Sequence, residues 1–435
     1  MSVNDTLAQV LGLQEPQQIT DSTMLGPNAI LLRFLVAALL AFAPLSARSS
    51  RDLPSEGGPY RNLFHELLGK GDREVDARIS GAWKQFFQGS LETERLYYPV
   101  DGGMAYVPDV ANHDVRTEGL SYGMMICVQL DHREEFNAIW KWARTNLYHA
   151  TGPAAGYFGW HGDFNGKQLD PGPAPDGEEW FVMGLFFAAH RWGNGTGIFD
   201  YEAEAQSLLH SMIHKAEDPN RGMYTSMFDK DAGQIVFVPE GPGSHFTDPS
   251  YHLPFFYELW AKWARDTGDR AFCAQAAATS RVLFKNATDP RTGLMPDYCE
   301  FDGKPHVQRG HEDFRYDAWR TLCYPALDYS WFNRDPWVVE RSDRVLRFLA
   351  SQAPQCASLF KLDGTPLSKD YNSPGLFAMA ATAGLAASPE VARPFVSGLW
   401  AMETPSGEYR YYNGLLYMMA LLETGGRFRI YAPSP

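Results

Sequence analysis

Four stretches of the chain carry residues whose types and spacing could do chemistry. The first, Asp114 to Gln129, reads DVRTEGLSYGMMICVQ. The pattern puts Glu118 at the start of a buried helix, with Ser121, Tyr122 and Met125 sharing its face. Gly119 and Gly123 each cost a helix roughly 1 kcal/mol relative to Ala, so a pair of them points to close approach by another backbone or a ligand. A carboxylate in this apolar run is costly unless it is paired, hydrogen-bonded or protonated. Two readings follow: a first-turn acid neutralised by Arg116 and favoured by the helix dipole, or a general acid. The dipole would lower its pKa, whereas a general acid needs it raised. Catalysis therefore requires desolvation to win.

The second stretch, Gly172 to Gly193, reads GPAPDGEEWFVMGLFFAAHRWG. Asp176 fits a helix N-cap with Glu179 completing a capping box, or it faces a cleft and binds a ligand. Glu178 and Glu179 read as first-turn acids. The third, Phe246 to Trp260, carries Asp248, Tyr251 and His252 ahead of a core helix; Tyr251 is either a backbone-satisfied hydroxyl or a polar handle in a site. The fourth, GHEDFRYDAWR (Gly310 to Arg320), has Asp317 and Arg320 three apart, as in a helix salt bridge. If Asp317 faces Glu118 across a cleft, the pair is what glycoside hydrolysis requires: one carboxyl protonates the leaving oxygen, the other activates water or attacks carbon.

Other chemistries find less support. His210 and His214 are four apart on one predicted helix, but no Glu occupies the position a zinc protease would need and no third ligand is evident, so no metal is expected. There is no phosphate-binding Gly-rich loop of the G-x-x-x-x-G-K-[ST] type and no G-x-S-x-G elbow. The five cysteines (127, 273, 299, 323, 356) include no C-x-x-C, and Cys127 falls in the buried run. A net charge of −14 argues against nucleic acid and anionic membrane surfaces as partners. The 12 Trp, 21 Tyr and 27 Phe supply both core and faces for stacking on sugar rings.

These residues must be held by helices. Periodicity predicts twelve, at 75–90, 118–130, 133–148, 178–192, 201–215, 252–266, 270–286, 316–331, 336–352, 374–387, 390–401 and 411–424. Only short strand-like pieces, such as 235–238, interrupt them. Twelve helices without a fixed repeat fit an all-α chain of six hairpins closed into a double ring rather than a solenoid. The long connections 149–177, 239–251 and 288–315 are rich in Gly, Pro, aromatics, acids and His, and are where sites tend to lie. Residues 1–50 read as an extension that contains a secretory signal at about 24–47: Arg33, the apolar run from Phe34, then Pro44 and Ser46-Ala47. Residues 51–72 read as a linker into one domain spanning 51–435.

Four segments, DVRTEGLSYGMM, GPAPDGEEWFVMGLFFAAHRWG, DPSYHLPFFYELW and RYYNGLLYMMALL, together resemble glycoside hydrolase family 8, with the nearest likeness to its reducing-end xylose-releasing exo-oligoxylanases. The resemblance spans roughly residues 59–431. It implies an (α/α)6 barrel, an inverting mechanism, no cofactor and a xylo-oligosaccharide substrate. It implies Glu118 as general acid and Asp317 as general base, with Asp313 as the alternative base. Asp176 would hold the sugar at the cleavage point and Tyr251 would lie near the attacking water. Trp160, His161, Tyr122 and Arg320 join them as substrate-binding candidates. In the exo-acting members a loop with a His ahead of a Pro closes the far end of the cleft. Here Ser373 precedes Pro374, so endo action on β-1,4-xylan or glucan is the alternative; a non-catalytic sugar-binding protein is the alternative of a different class. The expected product is a monomer with no stable membrane span after processing, secreted or periplasmic if the signal is real and cytoplasmic otherwise.

Overall fold

The structure, a computed structural model, describes residues 60–433. The extension and its signal reading lie outside the described residues. Among those described, thirteen α-helices follow one another: α1 (Leu63–Leu68), α2 (Asp72–Gln88), α3 (Thr117–Leu130), α4 (Arg133–Asn146), α5 (Pro175–Trp192), α6 (Tyr201–His214), α7 (Pro254–Trp263), α8 (Thr267–Ala287), α9 (Arg320–Phe332), α10 (Trp337–Ser351), α11 (Pro374–Ala383), α12 (Pro389–Ala401) and α13 (Arg410–Thr424). All twelve expected helices are present. The thirteenth, α1, corrects the expectation of a linker up to residue 72: Leu63, Phe64 and Leu67 bury themselves, and Gly69 closes the helix in the left-handed conformation.

The helices alternate between two layers. α3, α5, α7, α9, α11 and α13 are buried on nearly every face and form an inner ring. Within that ring α3 packs on α5, α7 on α9, α9 on α11, α11 on α13, and α13 back on α3. The edge of Trp180 against Phe256, with centroids 4.8 Å apart, spans α5 and α7 and closes the circle. α4, α6, α8, α10 and α12 each pack outside the inner helix that precedes them, and α2 covers α13. The outer helices are amphipathic. On α4, for example, Phe136, Ile139, Trp140 and Ala143 form one buried stripe at helical spacing. Two layers of this kind explain the sequence pattern: the inner helices read as almost wholly apolar and the outer ones as periodic.

Short strands occupy the connections. β1 (Tyr98–Val100) and β2 (Met104–Tyr106) form a hairpin. A four-stranded antiparallel sheet runs in the order β3 (Pro108–Asp109), β4 (Asp114–Arg116), β5 (His161–Gly162) and β6 (Gln168–Asp170), with Arg116 opposite His161. It pins the entry to α3, where the Thr117 N–H donates to the Trp160 carbonyl at 2.9 Å. A last pair joins β7 (Phe228–Asp229) and β8 (Gln234–Ile235).

Candidate active site

The candidate residues gather at the N-terminal ends of the inner helices. Glu118 is the second residue of α3, Asp176 the second of α5, Arg320 the first of α9 and Tyr411 the second of α13, while Tyr251 precedes α7 by a short turn. One end of the ring thus collects three acids around a single cation.

Arg320 is the hub. It is 1 % exposed, and its Nη1 donates to Glu118 Oε2 at 2.8 Å, Tyr122 Oη at 3.1 Å and Asp176 Oδ2 at 3.4 Å. Its Nη2 donates to Ser250 Oγ at 2.8 Å and lies 3.3 Å from Asp317 Oδ1. The guanidinium also sits 5.7 Å from the centroid of the Tyr251 ring, on whose face a cation is attracted. The expected Asp317–Arg320 pair is present, but the same arginine reaches 202 residues back to Glu118. A planar fork presents its donors in fixed relation to the three carboxylates, where an ammonium would offer three that rotate.

The three acids differ in environment. Burial pushes Glu118 up to about 7, against the pull of Arg320 and with further raising from Asp176 and Asp317. Desolvation therefore outweighs the neighbouring arginine charge. The other Glu118 oxygen accepts from Tyr411 Oη at 3.0 Å. Burial likewise raises Asp176 to about 6, opposed by Arg320 and by the Gly177 N–H at 2.9 Å. The Asp317 side chain is 37 % exposed against 14 % for Glu118, so water reaches one and is largely kept from the other. Glu118 Oε2 lies 2.8 Å from Nη1 and Asp317 Oδ1 3.3 Å from Nη2 of the same guanidinium, so these two oxygens are at most about 8.5 Å apart, the two contacts plus the width of the fork. That limit is compatible with the roughly 6.5–9.5 Å that lets a water sit between an acid and a base.

Several local expectations give way to tertiary contacts. Arg116 does not pair with Glu118; it bonds Asp114 at 3.0 Å and Asp109 at 3.3 Å and lies over the Trp160 ring. Asp176 is not an N-cap: Ala174 caps α5, Pro175 opens it, and Glu179 bonds the Tyr257 hydroxyl instead of completing a capping box. Glu178 is in the first turn as expected while Glu179 falls just beyond it, and both are fully buried, with Glu178 accepting the Phe158 N–H at 3.1 Å. Gly119 makes room for a side chain, not a backbone: a Cβ there would meet the Tyr411 ring at 2.5 Å. Gly123 likewise faces Val107 and Ile139. The five cysteines are all free and buried.

Tyr122 joins the cluster, its hydroxyl 3.0 Å from that of Tyr324. Trp160 and His161 share no described hydrogen bond with it. Their rings meet at a tilt of 38° beside Arg116, with centroids 3.7 Å apart, and burial holds His161 down to about 4. Asp313, the alternative base, has Glu312, Arg315, Lys361 and Asp363 as its charged surroundings, none of them in the cluster. Asp317, by contrast, acts on Glu118, Asp176 and Tyr251. Tyr411 and Ser250 are the contacts that sequence reasoning missed. Tyr411 lies in the RYYNGLLYMMALL segment, but nothing local says that its hydroxyl meets an acid 293 residues away.

A double ring of helices with paired carboxyls at one end defines a class, and the comparison with known proteins agrees with it. The sequence profile of glycosyl hydrolases family 8 matches residues 79–426, and the chain belongs to that family. It is a glycoside hydrolase with an (α/α)6 barrel. Among its relatives, the reducing-end xylose-releasing exo-oligoxylanase Rex8A of Paenibacillus barcinonensis is 41 % identical over 86 % of this chain and 97 % of its own length. A family 8 xylobiose complex from Teredinibacter turnerae superposes with a TM-score of 0.83 at 44 % identity, covering 86 % of this chain and 99 % of the other. A catalytic mutant of a xylanase from the same organism, in complex with xylohexaose, matches to the same extent, with TM-score 0.83, 44 % identity and coverage of 86 % and 99 %.

Proposed function

We propose that the chain is an inverting hydrolase of β-1,4-xylo-oligosaccharides that releases xylose from the reducing end. The observation that carries the chemistry is the asymmetry around Arg320: an enclosed Glu118 raised to about 7 and a water-exposed Asp317 on the same guanidinium. Glu118, protonated, donates to the glycosidic oxygen as that bond breaks. Asp317 takes a proton from the water that attacks the anomeric carbon from the opposite face, so the configuration inverts. Arg320 fixes the two carboxyls relative to one another and balances their charge when both are ionised. Asp176 and Tyr251, beside the same guanidinium, orient the distorted sugar and the water. Trp160 and His161 bind substrate farther along the cleft. The substrate class and the exo action follow the Paenibacillus relative. Asp313 is not the base in this scheme, because its charged neighbours lie outside the cluster.

A specific observation favours endo action as the second reading. Ser373 is buried, and its hydroxyl bonds Ser358 and Asp370 within its own loop. A side chain held that way closes less of a cleft than a projecting imidazole. Xylotriose and long xylan, incubated separately with the protein, distinguish the readings by product chromatography. Xylose and xylobiose from the trimer, with xylan nearly untouched, is the exo result; a ladder of oligomers from xylan is the endo result. Proton NMR of the first turnovers should show the α-anomer at the new reducing end, and a β-anomer would rule out inversion. Release of intact trimer without cleavage would instead match the sugar-binding alternative. The protein acts as a monomer, secreted or periplasmic if the signal is real and cytoplasmic otherwise; N-terminal sequencing of any exported form and its mass in solution test those two points.

A further inference from the structure

The outer wall holds a second cluster that the hydrolytic site does not use. His210 and His214 lie one turn apart on α6 with their rings stacked, centroids 4.3 Å apart. The sequence offered this pair no third ligand, but the fold supplies one. Asp269, in the first turn of α8, is almost wholly buried, and each of its carboxylate oxygens faces an imidazole: Oδ2 is 3.3 Å from His210 Nδ1 and Oδ1 is 2.6 Å from His214 Nε2. One donor atom from each of the three residues falls within 4.8 Å of the others. Tetrahedral ligation with bonds near 2.1 Å needs donors about 3.4 Å apart. His210 is 60 % exposed, so its ring is free to close the remaining gap while a fourth position faces water.

The surroundings are those of a ligating histidine. His214 Nδ1 lies 2.9 Å from Glu217 Oε1, the arrangement in which a carboxylate orients an imidazole whose other nitrogen binds metal. Lys230 is the opposing charge. Its ammonium sits 3.3 Å from that same Nδ1 and bonds Glu217, so it stands on the side away from Nε2 and Asp269. Asp266, which caps α8 by accepting the Gly268 and Asp269 N–H groups, adds negative charge nearby.

We propose that His210, His214 and Asp269 bind one divalent transition-metal ion of the zinc class, which ties α6 to α8 across two neighbouring hairpins. Two imidazoles and a carboxylate are a donor set for zinc rather than for calcium or magnesium. None of the three residues touches Glu118, Asp176, Asp317 or Arg320, so the inference is independent of the proposed hydrolysis. An ion bound only by the folded chain raises its stability by mass action.

The test uses the full chain without an affinity tag, stripped with EDTA and dialysed, then titrated with ZnCl2 in a calorimeter. One ion per chain at micromolar or tighter affinity, with a higher Tm at saturation, is expected. His210→Gln should weaken that binding at least about tenfold, and Glu217→Gln by about 10–100-fold. Because His210 is largely exposed, H210Q will fold even if a His214 variant does not. Absence of heat, or an unchanged affinity in H210Q, overturns the site.

Discussion

At the residue scale, the chemistry turns on how one arginine divides its bonds among three acids. In the proposed mechanism Glu118 donates only while protonated, and burial raises its pKa to about 7. The protonated fraction falls as pH climbs through that value, so kcat/KM should decline on the alkaline side with a midpoint near 7. Arg320 lowers the Glu118 pKa, so Arg320→Gln should move that limb to higher pH as well as slow the reaction. An alkaline limb that stays in place would remove Glu118 from the role. Glu118→Gln keeps size and hydrogen bonding but loses the proton. Its kcat should drop about 10²–10⁴-fold, the range one positioned acid contributes, with KM little changed. A variant with near-normal kcat would show that another group donates.

At the element scale, α3 must bring Glu118 against α13 without displacing Tyr411. Gly119 makes this possible: a Cβ there would lie 2.5 Å from a Tyr411 ring carbon and 2.7 Å from its hydroxyl. Ala favours a helix over Gly by about 1 kcal/mol, but forcing atoms into a filled site costs about 1–3 kcal/mol. Gly119→Ala is therefore expected to lower the denaturation midpoint modestly and to reduce kcat, because Tyr411 must leave Glu118. Denaturant melts and steady-state kinetics check both; a more stable, fully active variant would mean that Tyr411 has no part in holding the acid. The same contact shows why two glycines on one helix face could be noticed in the sequence but not interpreted. Their spacing indicates close approach, while the identity of what approaches is set by a helix nearly three hundred residues on.

At the scale of the whole molecule, the double ring buries acids that the catalytic proposal does not use. Glu423 on α13 is fully enclosed, and burial pushes it up to about 8, opposed by hydrogen bonds involving Cys323 and Thr382. Between its ordinary value of 4.5 and about 8 the folded chain holds a proton that the unfolded chain has lost. Its contribution to stability therefore falls as pH rises through that window. His252, held down to about 3 by burial, works in the opposite sense below 6.5: there the unfolded chain takes up the proton, so stability falls as pH drops. Glu423→Gln isolates the first effect. Its Tm should exceed that of the parent at pH 8 and approach it near pH 5, with about 1–1.5 °C for each kcal/mol removed in a domain of this length. Melting curves at the two pH values decide it, and an equal difference at both would mean that Glu423 is ionised throughout.

The sequence by itself determined the helices and the acids. Twelve of the thirteen helices follow from periodicity, because an inner helix buried all round and an outer helix buried on one stripe leave different marks that need no knowledge of neighbours. Glu118 stood out because it is an acid at the apolar start of a helix, a conflict visible within a dozen residues; Asp176 and Asp317 stood only at acid-bearing helix starts, and the resemblance tied them to Glu118. Tertiary structure alone decided how those acids are used. It placed Arg320 rather than Arg116 against Glu118, removed Asp176 from its capping role, brought Tyr411 to the second Glu118 oxygen, and gave His210 and His214 a third partner in Asp269. Each of those outcomes joins residues that are 50 to 300 positions apart or depends on which of two nearby cations wins. Local propensity carries no record of such contacts; closing the ring creates them, and the desolvation that raises Glu118 comes with that closure.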